Sequence, residues 1–96
     1  LMVVMILERV NPGLRGEMTR WMIEPKAGVF IGKMSAMVRD RLWEKAQKSA
    51  GDGAGMLIHA CNTEQGFNIR TFGDRSRDIV DMEGLWLVRI PKDCSS

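Results

Sequence analysis

The residue best suited to chemistry in this sequence is an acidic one at the end of an apolar segment. Glu8 follows the apolar residues 1–7 and precedes the Asn-Pro-Gly loop at residues 11–13. Side chains at such a strand end leave the core for solvent. Two such carboxylates, brought together across a dimer axis, could bind a divalent cation and activate water. The alternative, which this chain alone favours, is that Glu8 pairs with Arg9 or another basic neighbour.

Arginines form the second group of interest. Arg9, Arg15 and Arg20 lie around the same loop and the first predicted helix, and Arg75 and Arg77 lie in a charged connection further along. Guanidinium groups hold phosphates through charge-assisted, forked hydrogen bonds. No aromatic residue is interleaved with the arginines within either group, residues 9–20 or residues 75–77, so the pattern indicates contact with a nucleic-acid backbone and not base stacking.

The sequence lacks the residue patterns of other common catalytic and metal sites. The sequence has no Ser/His/Asp set, no phosphate loop and no metal-ligand spacing, and the single histidine, His59, lies inside a predicted strand where a structural role is expected. Cys61 and Cys94 are far apart and outside any CxxC motif, which favours two free thiols in a reducing cytoplasm. No apolar stretch approaches the roughly 20 residues of a membrane span, and we expect a cytoplasmic protein without membrane contact.

The charge of the chain is unevenly distributed. Residues 1–50 contain nine Lys and Arg against five Asp and Glu, whereas residues 51–96 contain five against seven. The basic first half is compatible with binding a polyanion. Solvated helix faces would explain the same charges equally well.

The elements that position these residues follow from hydrophobic spacing. The pattern predicts strands over residues 1–7, 28–32, 54–61, 67–72 and 85–90, with helices over 14–24 and 35–49. In the second helix we expect Met34, Met37, Val38, Leu42 and Ala46 inside, and Arg39 and Asp40 outside. This order predicts one α+β domain over residues 1–90, a ferredoxin-like sandwich with two helices on one face of an antiparallel sheet. Residues 91–96 are expected to form a tail that is flexible or ordered by a partner.

Several segments together resemble one protein family. They read VVMILERV with NPGLRG, then WMIEPKAGVFIGKMSA with VRDRLWE, then NTEQGF, TFGD and DMEGLWLV. From about residue 2 to residue 90, in this order, they are similar to the small ferredoxin-like CRISPR adaptation protein that partners the spacer integrase. The AGVFIG and NTEQGF segments resemble the type I-E branch of that family.

The resemblance implies a function in antiviral defence. It implies a homodimer in which the two sheets meet, acting as the adaptor between two integrase dimers and holding the double-stranded DNA of a captured protospacer. By analogy, Arg15 and Arg77 contact the DNA backbone. Where this chain has Gly13 and Ser76, the family often has basic residues, and Arg9 and Arg75 are candidates to replace them. Lys26 and Arg39 are further candidates on the same surface.

Members of the wider family have also been assigned nuclease activity. The alternative function is therefore a Mg²⁺- or Mn²⁺-dependent endonuclease acting on single-stranded RNA or double-stranded DNA. Its acidic metal ligand would be Glu8, at a position where aspartate is common elsewhere in the family. If the chain is not catalytic, no cofactor is expected.

Overall fold

The computed structural model describes residues 2–73, which form five strands and two helices. In chain order these are β1 (Met2–Leu7), α1 (Pro12–Met18), β2 (Met22–Lys26), β3 (Val29–Lys33), α2 (Ala36–Ser49), β4 (Gly55–Ala60) and β5 (Phe67–Phe72). The predicted strand at residues 85–90 and the tail at residues 91–96 lie outside the described residues.

The strands form one antiparallel sheet in the order β2-β3-β1-β4-β5. The first four strands have the ferredoxin-like arrangement, in which β3 lies between β1 and β2, and β5 extends the sheet beyond β4. Val3, Met5 and Leu7 of β1 are buried, and they form one core with residues of both helices such as Leu14 and Leu42. Both helices therefore cover the same face of the sheet, as the sequence predicts.

The first helix is shorter than predicted. Asn11 caps it, since its Oδ1 accepts a hydrogen bond from the amide of Leu14 at 2.7 Å, but the helix ends at Met18 and not at residue 24. Residues 22–26 instead form β2, which within residues 2–73 pairs with β3 alone and lies at the edge of the sheet. Met22 points to the core and Ile23 to the opposite face of the sheet. The side chains of this segment therefore alternate between two faces, as in a strand, and do not share one helical face. Pro25 is tolerated because an edge strand does not need every amide for pairing.

The second helix begins as predicted. Ser35 caps it, with its hydroxyl accepting a hydrogen bond from the amide of Val38 at 3.3 Å. Leu42 and Ala46 are buried as expected, but Met37 is 69% exposed, so its predicted place in the core is wrong. Trp43 is buried in the core, and its ring lies 4.9 Å from that of Phe72.

Arg39 was expected on the outer face of α2, and this expectation is wrong, because the residue is only 2% exposed. Its Nη1 lies 3.1 Å from Nδ1 of His59, and its Nε donates to Oδ1 of Asp40 at 2.9 Å. Arg70 of β5 donates to the same Asp40 oxygen at 3.0 Å. Burial raises the pKa of Asp40, but the hydrogen bonds and charges of the two arginines outweigh it and hold that pKa below its usual value. The arginine is therefore compensated inside the fold, as buried charges must be.

The opposite face of the sheet is also apolar, and we call it the open sheet face. Met2, Ile6, Ile23 and Phe67 lie on it and are 53, 42, 67 and 39% exposed. Further residues between them on this face are Val4, Val29, Ile31, Met56 and Ile58. Exposed apolar patches of this kind mark interaction surfaces.

One expectation about the cysteines is also corrected. Cys61 is disulfide-bonded, so it is not the free thiol that the sequence suggested, while Cys94 lies outside the described residues. Within residues 2–73, neither helix has the length and apolar character needed to cross a lipid bilayer.

The turn between β2 and β3 depends on Gly28. This residue has φ of +83°, and a Cβ there would lie 2.6 Å from the carbonyl oxygen of Leu7. We expect Gly28→Ala to lower the free energy of unfolding by about 1–3 kcal/mol, because both the backbone angle and the contact become strained. The matched control is Gly16→Ala in α1, where a Cβ meets nothing within 4 Å. It should raise stability by about 0.5–1 kcal/mol. Equal stability of the two variants in denaturant unfolding would contradict this account of the turn.

The buried histidine makes stability depend on pH. Burial is the main reason that the pKa of His59 lies below its usual value of 6.5, and the charges of Arg39 and Arg70 lower it further, against the Ala60 carbonyl and Asp40. The unfolded chain takes up a proton near pH 6.5, whereas the folded chain resists it. His59 should therefore contribute no pH dependence above about pH 6.5. Between that pH and the lowered pKa the free energy of unfolding should fall as the pH drops, and below the lowered pKa the contribution of His59 should level off. Because the chain has a single histidine, His59→Gln should flatten this part of the profile, and an unchanged slope in that variant would refute the assignment.

Candidate nucleic-acid interface

Arg15 lies on α1 beside the start of the β2–β3 hairpin, where it forms a forked ion pair with Glu24. Its Nε donates to Oε1 of Glu24 at 2.9 Å, and its Nη2 donates to Oε2 at 3.1 Å. Oε2 also accepts the amide N–H of Gly28 at 2.9 Å. The Arg15 side chain remains 43% exposed, whereas that of Glu24 is only 17% exposed. The guanidinium is thus fixed in place and still reachable from solvent.

The two charges reinforce each other. The hydrogen bond with Glu24 is the largest cause that raises the pKa of Arg15 above its usual value, although burial opposes it. The same bond, followed by the bond from the Gly28 amide, lowers the pKa of Glu24. Both groups are therefore charged over the neutral range.

Two other predicted nucleic-acid ligands lie on the surface. Arg9 follows β1 and pairs with Asp52 at 2.9 Å, with side chains 64 and 81% exposed. Lys26 is exposed at the end of β2. Exposed ion pairs such as Arg9–Asp52 are weak and exchange readily for other partners. Arg9 and Lys26 are therefore available to a polyanion.

Arg39 is not available in the same way. Its side chain is 3% exposed, and its contacts with His59 and Asp40 hold it between α2 and the sheet. We therefore leave it out of the candidate surface. Arg75 and Arg77, the predicted ligands of the charged connection, lie outside the described residues, so their roles remain predictions.

Glu8 is exposed after the end of β1, and its side chain has a structural partner. Its Oε1 accepts the amide N–H of Ala54 at 3.0 Å, while its own amide donates to the Ala54 carbonyl oxygen at 2.9 Å. Of the basic neighbours predicted as alternative partners of Glu8, Arg9 pairs instead with Asp52. Glu8 thus continues the pairing of β1 with the chain before β4.

The fit of Mg²⁺ or Mn²⁺ to this site is poor within one chain. These ions need several oxygen ligands, and residues 2–73 contain no cluster of three or more Asp, Glu, His or Cys that could hold a metal. One of the Glu8 oxygens already accepts a backbone hydrogen bond. No hydrolytic step can be derived from this arrangement.

Sequence reasoning missed the acidic partners of the basic residues. Glu24 contacts Arg15 from nine positions away, and Glu17 of α1 pairs with Lys45 of α2. The hydrogen bond from Lys45 is the main cause that lowers the pKa of Glu17, with smaller effects from Arg20 and Arg41. Spacing along one helix could not reveal these pairs, since each joins two different elements.

Residues 2–87 match the family model described as CRISPR-associated protein (Cas_Cas2CT1978). The match spans most of the 96 residues and includes all seven elements of the described fold. The chain therefore belongs to the Cas_Cas2CT1978 family of CRISPR-associated proteins.

Proposed function

We propose that this protein is a homodimeric, DNA-binding adaptor of CRISPR adaptation, of the type I-E branch. In this role it bridges two dimers of the spacer integrase and holds the duplex of a captured protospacer. The observation that carries the proposal is the family match over residues 2–87. The open sheet face and the exposed basic residues support it physically.

The open sheet face supports the dimer. Ile6 lies on the central strand β1, between Val29 of β3 and Met56 of β4, and is 42% exposed. This exposure is high for an isoleucine in the middle of a sheet, and it arises because no element in the described part of the chain covers the residue. Burying such apolar area against a second copy contributes about 25 cal/mol per Å². A two-fold axis through this face would pair identical apolar surfaces.

The distribution of basic residues supports binding to duplex DNA. Arg15, Arg9 and Lys26 come from three separate loops and elements but are all solvent-accessible. Contacts of this type neutralise backbone phosphates without reading bases. Such binding suits an adaptor that must accept a protospacer of any sequence.

The adaptor function does not require hydrolysis. Glu8 is engaged with the backbone of Ala54, and residues 2–73 offer no further carboxylates to complete a metal site. We therefore place the chemistry of integration on the partner integrase. The contribution of this chain is to hold and orient the DNA.

Charge removal should separate the adaptor from a nuclease. In cells with the matching integrase and array, Arg15→Ala combined with Arg77→Ala should abolish the acquisition of new spacers, because two backbone contacts are lost on each protomer. Glu8→Gln should acquire spacers at the wild-type rate, since the glutamine oxygen can still accept the Ala54 N–H. Acquisition is measured by amplifying the growing array, with protein levels checked by immunoblot. Normal acquisition by the double arginine variant would refute the adaptor, and loss of acquisition in well-expressed Glu8→Gln would favour the nuclease.

A charge placed on the open sheet face should prevent dimerisation. Ile6→Lys buries an ammonium group in the proposed interface, at a cost that an interface of this kind cannot offset. The matched control is Met37→Lys, which adds the same charge at the exposed start of α2. In sedimentation velocity, the wild type and the control should be dimers and Ile6→Lys a folded monomer. A monomeric wild type, or an unchanged dimer of Ile6→Lys, would contradict the proposed interface.

A further inference from the structure

We propose that Glu24 is a positioning residue for DNA binding: it holds one edge of the Arg15 guanidinium and directs the other edge at a backbone phosphate. This inference rests on the proposed function, since it concerns the same duplex-binding surface. It assigns a role to an acidic residue on that surface. A carboxylate near a phosphate site would by charge alone only weaken binding.

The geometry leaves part of Arg15 available. A guanidinium has five N–H donors, of which Nε carries one and each Nη carries two. Glu24 takes the Nε–H and one Nη2–H. Both Nη1–H groups and the second Nη2–H remain, and one Nη1–H together with the second Nη2–H forms the end-on edge of the fork. Among the hydrogen bonds of the described residues, none uses these three donors. That edge can receive two oxygens of one phosphate while the ion pair stays intact.

Glu24 is itself fixed from two sides. The Gly28 amide donates to its Oε2 across the tight β2–β3 turn, and the carboxylate is mostly buried. The three residues therefore form a connection from α1 through Glu24 to the hairpin turn. The Arg9–Asp52 pair differs, because both side chains are largely exposed and no backbone amide anchors Asp52 in the described part of the chain. Arg15 is thus the arginine whose orientation is set before DNA arrives.

Preorganisation and electrostatics predict opposite changes in DNA affinity when the charge of Glu24 is removed. Removing the charge of Glu24 lowers the local negative potential, which alone would tighten binding of a polyanion. Removing it also frees the long Arg15 side chain, which must then be ordered during binding, and this weakens the complex. The inference requires the second effect to be larger. The sign of the change in affinity therefore tests it.

The experiment measures affinity for a labelled DNA duplex by fluorescence anisotropy at fixed salt. Arg15→Ala should weaken binding about tenfold, the loss typical of a charge-assisted contact. Glu24→Gln should weaken it by about threefold or more, as part of the same contact is lost. The matched control is Glu17→Gln, which removes a carboxylate from α1, the helix that carries Arg15, and should leave affinity equal or higher. In the Arg15→Ala background, Glu24→Gln should cause no further loss, because there is no arginine to position.

The outcomes separate the inference from the proposed function. If Arg15→Ala binds like the wild type, the proposed role of Arg15 in DNA binding is wrong. If Arg15→Ala weakens binding but Glu24→Gln does not, only the positioning role is overturned. The same holds if Glu24→Gln weakens binding equally in the Arg15→Ala background, since this indicates a general structural effect. One measurement uses the wild type and so does not depend on a variant that folds. The Arg15 Nε–H should give a ¹H–¹⁵N NMR signal that is distinct from the signals of the exposed arginines. If the Arg15 signal coincides with those of the exposed arginines, the inference is also overturned.

Discussion

The fold depends on a central strand that is apolar on both faces. β1 pairs with β3 on one side and β4 on the other, so its backbone is satisfied on both edges. Its alternate residues Val3, Met5 and Leu7 are covered by the two helices. The remaining residues, such as Val4 and Ile6, face the other way and are apolar as well. A strand of this type is expected in a sheet that has other elements packed on both faces, yet the two helices pack on only one face.

Most of the architecture could be predicted from the sequence, because hydrophobic spacing and capping residues act locally. Ser35 and the apolar residues after it give the start and core face of α2, and the alternation over residues 67–72 gives β5. The failures have a common cause. Met22 and Arg39 were placed by helical periodicity, whereas their positions are decided by partners on other elements: Met22 by pairing with β3, and Arg39 by His59 and Asp40. Tertiary contacts override local patterns at such positions.

The candidate site was only partly predictable for the same reason. Guanidinium groups are visible in a sequence, and Arg15, Arg9 and Lys26 are indeed accessible. The carboxylate that the fold places beside an arginine decides whether the guanidinium is accessible, weakly paired or held in the core. Asp52, Glu24 and Asp40 do this for Arg9, Arg15 and Arg39, respectively. The arginine side chains of the three pairs range from 64% to 3% exposed, and composition cannot distinguish them. Glu8 likewise has a backbone partner, the amide of Ala54, which the sequence does not reveal.

The irregularity of β2 has a consequence for assembly. Its pairing with β3 shifts register between Ile23 and Lys26, and Pro25 lies at the shift without an N–H to donate. The outer border of β2 therefore offers a poor template for a strand from another molecule. Chains cannot readily add side by side at this border into an extended ribbon. Open-ended growth of a ribbon needs both borders of a sheet to pair, so the poor template at β2 disfavours such growth within the described part of the chain.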